Sequence, residues 1–227
     1  YSPGGTRFLV QVHPGLGNIF PPQFPLQVPV PGRHNVLNAL AAAAAALVAG
    51  VPVETIQKGL GRFKPPARRM ETRRVGSYTV INDVAMNEQS YEAVLETIAN
   101  FRFPQVVVIN AIRGNRGPEV NARIAAVLAS WNQRLRFAPL IITLSRTHLG
   151  RYEVDYQVRP QELEAFVKAA REGGLELSVH EELPGAVEEG VARLRPHGLL
   201  LLLGTFGMDE GPSMAEDLLR RQVGSES

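Results

Sequence analysis

The segment Pro31-Gly32-Arg33-His34-Asn35-Val36-Leu37-Asn38 leads through Ala39-Leu40 into six consecutive alanines, Ala41 to Ala46. A Pro-Gly turn hands over to a helix whose first turns carry His34, Asn35 and Asn38. Positions 34 and 38 are i,i+4 and positions 35 and 38 are i,i+3, so the three can share one side of the helix. Asparagine is a mediocre helix former because its amide competes with the backbone. Two of them beside an alanine run suggest amides kept for an external partner. An amide offers a donor and an acceptor together, which is what a purine edge needs. The plainer reading makes Asn35 an N-cap and leaves Asn38 facing water.

Three further places carry residue types suited to chemistry. The stretch Phe63-Lys64-Pro65-Pro66-Ala67-Arg68-Arg69-Met70-Glu71 sets adjacent arginines behind two prolines. A guanidinium gives phosphate oxygens a charge-assisted fork that lysine cannot copy. Asp83 follows the apolar segment Tyr78–Ile81 and could cap the next helix, a role that Asn87 or Glu88 could fill equally. The loop Asn110-Ala111-Ile112-Arg113-Gly114-Asn115-Arg116-Gly117 places Arg113, Asn115 and Arg116 on a glycine-flexed turn. That composition suits a carboxylate or a phosphate, or simply a solvated polar loop.

The elements that position these residues follow from hydrophobic pattern. Strands are expected at Arg7–Val12 and Leu26–Val30, then helices from Asn35 to Val48, stopping at Gly50, and from Val53 to about Leu60. The prolines of Phe63 to Ala67 disfavour helix before them, and a domain boundary is expected there, giving segments 1–66 and 67–227. Beyond it, apolar runs at Tyr78–Ile81, Val106–Ile109, Leu140–Leu144, Leu175–Val179 and Leu199–Leu203 alternate with amphipathic stretches. Those stretches are Ser90–Ala99, Glu119–Trp131, Gln161–Arg171, Pro184–Leu194 and Ser213–Arg221. Continuously apolar strands are buried on both faces. The alternation predicts an α/β, doubly wound, mostly parallel sheet whose ligands sit at strand carboxyl ends. Ser145-Arg146-Thr147-His148 and Gly204-Thr205-Phe206-Gly207 fall on that same edge.

Composition narrows the function classes. The 227 residues hold 24 basic and 22 acidic side chains, a formal charge of +2, and the arginines are scattered. Aromatics do not interleave with them as in single-strand binders, so nucleic acid is not the expected partner. Without cysteine there are no disulfides or thiolate metal sites, and the five histidines show no ligand spacing. Leu199–Leu203 is far too short to span a bilayer. His180, His197 and Trp131 are expected to pack rather than to act.

Taken together, Gly32-x-His34-Asn35-x-x-Asn38-Ala39-x-Ala41-Ala42, Arg69-Met70-Glu71 and Asp83-x-Ala85-x-Asn87 resemble the Mur ligase family. These are ATP-dependent ligases that add amino acids to muramyl peptides, folates or similar acids. The third motif departs from the family's Asp-Tyr-Ala-His-Asn-Pro, with Val84, Met86 and Glu88 replacing Tyr, His and Pro. The resemblance covers residues 6 to about 100 by motif and the remainder by layout. It implies that His34, Asn35 and Asn38 contact adenine, that Arg69, or Arg68 beside it, reaches the nucleotide phosphates and that Asp83 holds the ribose hydroxyls. Nucleotide would then bridge the hinge and favour closure. In layout the 110–117 loop corresponds to the family's Gly-x-Gly-Asp-Arg-Asp loop, so Arg116, with Arg113 and Asn115, would receive the incoming amino acid.

The family's phosphate loop, ending in Gly-Lys-Ser or Gly-Lys-Thr, does not occur here. Gly4-Gly5-Thr6 and Gly15-Leu16-Gly17-Asn18 are too short and lack the lysine. The chain also opens on Tyr1, so it is expected to be the C-terminal part of a longer cytoplasmic enzyme, catalytically incomplete alone. Segment 1–66 would be the end of an α/β ATP-binding domain and 67–227 a Rossmann-like C-terminal domain. The expected reaction activates an acid as an acyl phosphate with ATP and Mg2+, and an amine then attacks to give an amide, ADP and phosphate. Its partners are small-molecule acids and amino acids and the N-terminal part of the same protein, with no membrane. The altered third motif also admits a non-catalytic or repurposed ligase-like subunit, such as a partner of a glutamine amidotransferase.

Overall fold

The computed structural model describes residues 2–16, 20–137 and 139–225. Gly17 and Asn18 of the second glycine-rich turn lie outside them. The chain divides into two compact units, Tyr1–Ala67 with Glu96–Phe101, and Arg68–Leu95 with Arg102–Ser227.

In the first unit, β1 (Thr6–Gln11) pairs antiparallel with β2 (Gln23–Val28). Burial alternates along β2, with Phe24, Leu26 and Val28 inside and Gln23, Pro25 and Gln27 outside. This is the period of a half-buried strand. Two helices follow, α1 (Arg33–Val48) and α2 (Val53–Gly61). α1 buries only Ala39 and Ala43, small residues that let its backbone approach the strands closely. Phe24, Leu26, Ala43 and Ile56 form the unit's core, with Phe8, Val10 and Leu47 packed against it. Gly50, at φ 78°, closes α1, because Val51 N–H reaches Ala46 O at 2.9 Å and Gly50 N–H reaches Leu47 O at 3.0 Å.

The second unit is a six-stranded sheet in the order β3-β4-β8-β5-β6-β7. Its strands are β3 (Glu71–Val75), β4 (Tyr78–Asp83), β5 (Val106–Ala111), β6 (Leu140–Thr143), β7 (Leu177–His180) and β8 (Leu199–Gly204). All neighbours are parallel except β3, which pairs antiparallel with β4. Between strands run α3 (Glu88–Ala99), α4 (Pro118–Leu135), the short α5 (Arg146–Leu149), α6 (Pro160–Glu172), α7 (Leu183–Arg193) and the final α8 (Gly211–Ser225). From β4 the chain moves outward through β5, β6 and β7, then returns through α7 to insert β8 beside β4. Right-handed crossovers require the returning helix on the opposite face. Accordingly α7 and α8 cover Val80, Val107, Ile109, Leu200 and Leu202. The opposite face holds Asn110, whose Oδ1 accepts the Tyr91 hydroxyl of α3 at 2.6 Å. α4 is tied to α3 by Trp131 Nε1–H donating to Glu92 at 2.5 Å. The expected doubly wound, mostly parallel sheet is therefore present, and β5 and β8 are buried at every position.

Two local expectations are corrected. The strand expected from Leu175 begins at Leu177, because Leu175 N–H closes the end of α6 by donating to Ala170 O at 2.9 Å. β3 was not expected, because Glu71, Arg73 and Arg74 conceal it. Charge suits an edge strand, and Arg73 bonds Glu71 at 2.8 Å and Glu216 of α8 at 3.0 Å.

The N-terminus of α3 is closed by Asn87, whose Oδ1 accepts Ser90 N–H at 2.9 Å while Ser90 Oγ accepts Asn87 N–H at 2.9 Å. Replacing Asn87 by alanine should lower stability by about 1 kcal/mol in urea denaturation. An unchanged midpoint would show that this cap contributes nothing. Among the described residues, no helix is long and apolar enough to cross a membrane.

Candidate functional site

The residues singled out beyond position 67 gather at the carboxyl ends of the parallel strands. Asp83 ends β4 and is 5% exposed, so it does not cap α3. Its Oδ2 accepts Met70 N–H at 2.9 Å, and Oδ1 takes no hydrogen bond among the described residues. Burial pushes its carboxyl up to about 6, against the Met70 N–H and the charges of Arg69 and Arg68, which favour ionisation. Stability gained from keeping Asp83 protonated is therefore full below about pH 4 and is lost as pH rises through about 6.

The adjacent arginines have different surroundings. Arg68 and Met70 both adopt left-handed backbone, at φ 60° and 50°, and Arg69 is exposed between them. The Arg68 guanidinium pairs with Asp209 and donates to the carbonyls of Gly204 at 2.6 Å and Thr205 at 3.0 Å. Arg69 makes no hydrogen bond or ion pair among the described residues. Arg68 thus fastens the turn, and Arg69 is the arginine free to meet a ligand.

Across β8, in the loop after β5, Arg113 lies over the Tyr156 ring at 4.4 Å and near that of Phe206 at 5.1 Å. The two rings stack on each other at 4.7 Å. The Nε of Arg113 is buried without a hydrogen-bond partner. Arg116 donates to the carbonyl of Met86. Burial first and the Arg113 charge second hold the pKa of the Arg116 guanidinium below its ordinary value. Asn115 is exposed, at φ 60°. Arg113 and Arg116 line a small open cleft with Asn110, Tyr91, Asn121 and Thr205, and no acidic residue lines it.

In the first unit, α1 starts after Gly32, whose φ of 107° suits glycine. Asn35 is therefore inside the helix rather than its N-cap, and its amide donates to Pro31 O at 2.7 Å. Asn38 is exposed, while His34 is half-buried in the first turn. Among the described residues, no group of three histidines and carboxylates could hold a metal. The unbonded Oδ1 of Asp83 leaves an acceptor for a hydroxyl donor.

Sequence reasoning did not find several residues that shape the site. Glu162, 2% exposed on α6, accepts the N–H groups of Arg116 at 3.1 Å, Gly117 at 2.9 Å and Arg159 at 3.0 Å. Asp209 gathers Arg68, His148 at 3.2 Å and Tyr152 at 2.8 Å. Burial and that carboxylate push the Tyr152 hydroxyl up to about 12. Only the Glu162–Arg159 pairing had a sequence signal, a glutamate three positions into a helix. Ser145 and His148, expected on the same strand edge, are held by Gly207 O and Asp209. His180 pairs with Glu189.

Residues 68–206 match the family described as Mur ligase, glutamate ligase domain. The chain belongs to the Mur ligase family. The UDP-N-acetylmuramate–L-alanine ligase of Chromobacterium violaceum is 30% identical over an alignment of 195 residues that covers 76% of this chain and 42% of that protein. The UDP-N-acetylmuramoyl-L-alanyl-D-glutamate–2,6-diaminopimelate ligase of Halalkalibacterium halodurans is 37% identical over 115 residues, 49% of this chain and 24% of that one. Among solved structures, the MurF ligase of Thermotoga maritima in complex with ADP shares the fold with a TM-score of 0.68 at 14% identity, covering 98% of this chain and 45% of that one. This Mur ligase chain spans about two-fifths of the length of the Chromobacterium relative.

Proposed function

We propose that this chain is the C-terminal part of an ATP-dependent ligase that joins an amino acid to a carboxylic acid in the cytoplasm. Residues 1–66 would end its ATP-binding domain, and 67–227 would form its C-terminal domain. The observation that carries the reading is the unbonded Asp83 Oδ1 and the exposed Arg69 beside it, with a two-arginine, acid-free cleft on the same strand edge. Asp83 accepts the ribose hydroxyls, and Arg69 offers its fork to phosphate oxygens. In the first unit, His34, Asn35 and Asn38 are the adenine contacts, with Asn38 the freest of them. Asn35 keeps its Oδ1 for the base while Nδ2 stays on Pro31 O. Arg113, Asn115 and Arg116 receive the amine substrate.

The names of the relatives support an amino acid as the amine and a muramyl-type acid as its acceptor. The acid is activated as an acyl phosphate and the amine attacks its carbonyl carbon. That bond forms as phosphate leaves, so ADP and phosphate are released with the amide. The nucleotide would enter as its magnesium complex, the ion offsetting charge on the transferring phosphoryl group.

The test is phosphate release by the polypeptide that joins this chain to a phosphate-loop domain. Release should require ATP, an acidic acceptor and an amino acid together. Failure with every acceptor and amine would refute the reading. The 227-residue chain alone should show no saturable ATP binding at micromolar concentration by calorimetry, since its sequence has no Gly-Lys-Ser/Thr loop to cradle phosphates. Micromolar affinity would contradict that.

A further inference from the structure

The loop that carries Arg116 is bent in a way its own residues do not sustain. Asn115 and Gly117 stand on either side of Arg116 at φ 60° and 83°, a left-handed region that non-glycine residues seldom adopt. Such a backbone can turn successive N–H groups to one side and form a concavity for an anion. Here the anion belongs to the chain. Glu162 Oε1 accepts Arg116 N–H at 3.1 Å and Gly117 N–H at 2.9 Å, while Oε2 accepts Arg159 N–H at 3.0 Å. This carboxylate is 2% exposed and pairs with no cation among the described residues. Three N–H groups and two helix N-terminal ends offset its charge, because Gly117 is the N-cap of α4 and Arg159 that of α6. A serine or aspartate at the N-cap would close α4 locally, but the glycine there has no side chain to do so. The task falls instead to a residue 45 positions away. One side chain of α6 thereby fixes the start of α4 and the backbone of Arg116 together.

We propose that Glu162 is a positioning residue for the amine substrate, holding Arg116 in its binding place before the amine arrives. The inference rests on the reading of the 113–117 loop as the amine's site. Glu162 acts through Arg116 and touches no substrate itself. A loop already ordered spares the bound state the cost of ordering it. Releasing the loop should therefore weaken the amine and not ATP, since Glu162 bonds neither Asp83 nor Arg69.

The test combines initial rates of the polypeptide joined to a phosphate-loop domain with amide hydrogen exchange of the 227-residue chain. Glu162→Ala should raise KM for the amine about 10- to 100-fold. It should leave kcat and KM for ATP within about twofold, the pattern of binding lost at one site. Glu162→Gln keeps the size of the side chain and loses its charge. Its amide has a single accepting oxygen, which can serve Arg116 and Gly117 or Arg159 but not both sides. Hydrogen exchange reads which side it takes. If the Arg116 and Gly117 amides stay protected, KM for the amine should stay at the parent value although the melting temperature falls. If they lose protection, that KM should rise about tenfold. An unchanged KM for the amine in Glu162→Ala would overturn the inference, as would an equal rise in KM for ATP. So would a KM in Glu162→Gln that departs from the protection of those two amides, and this arm decides alone if Glu162→Ala does not fold. A parent polypeptide that releases no phosphate fails the ligase reading and the positioning role with it. A parent that turns over while both variants lower only the melting temperature fails the positioning role alone.

Discussion

Asp83→Asn is expected to stabilise the chain by about 2–3 kcal/mol at pH 7 and, in the polypeptide joined to a phosphate-loop domain, to weaken use of nucleotide. The carboxyl rises from 3.8 to about 6 on folding, chiefly because it is buried, and each unit is worth about 1.4 kcal/mol. Between those values the unfolded chain has released the proton and the folded chain has kept it. Stability therefore falls as pH rises across that interval, and above it the full cost of the buried charge is carried. Asparagine keeps an oxygen for Met70 N–H and carries no charge. Urea denaturation should show the variant ahead at pH 7 and level with the parent near pH 4. A variant less stable than the parent at pH 7 would mean that the attraction of Arg68 and Arg69 outweighs desolvation. The retention of a destabilising carboxylate is what a ligand-binding role requires, since structure alone would favour its removal.

Gly114→Ala should be among the most damaging single changes, costing about 3 kcal/mol. A Cβ there would lie 1.8 Å from Gln157 O, 2.4 Å from Gln157 C and 2.9 Å from Tyr156 O. All three are backbone atoms and cannot turn aside. The clash falls where Gly114 N–H donates to Tyr156 O at 3.0 Å, the contact that keeps Arg113 over the Tyr156 ring. Stability and the arginine cleft should fail together. Gly59→Ala is the control: nothing lies within 4 Å of its Cβ, and a helical alanine there should gain about 0.5–1 kcal/mol. Equal melting temperatures for Gly114→Ala and the parent would show that the two loops do not depend on this approach.

The sheet was legible in the sequence because β5 and β8 are apolar at nearly every position, and only burial on both faces produces that pattern. β3 was not, since its charges belong to an edge. The motif residues were legible by type but not by task. Nothing in Arg68-Arg69 says which arginine is fastened, because the answer lies in Asp209 and the Gly204 and Thr205 carbonyls, more than 130 residues on. Likewise Tyr156 and Phe206 meet only because the loops after β6 and β8 emerge at the same strand edge. Asn35 looked like a cap until Gly32 took that place, and the backbone angle at Gly32 leaves no periodic trace. Composition and spacing therefore convey strand order and burial, whereas the partners of a side chain at a sheet edge come from the crossover connections.

The central claim is that one strand edge serves nucleotide through Asp83 and the amine through Arg116. Initial-rate phosphate release by the joined polypeptide, measured for Asp83→Ala and Arg116→Ala against both substrates, tests it most directly. A charge-assisted hydrogen bond is worth about 1.5–3 kcal/mol, or roughly 10- to 150-fold in apparent binding. Asp83→Ala should raise KM for ATP by that order and leave KM for the amine nearly unchanged, with Asn38→Ala a milder version of the same effect. Arg116→Ala should raise KM for the amine and leave that for ATP nearly unchanged, the signature of binding lost at one site. If Arg116→Ala weakens ATP use alone, the loop from Arg113 to Gly117 serves nucleotide, and the division of the edge described here is wrong.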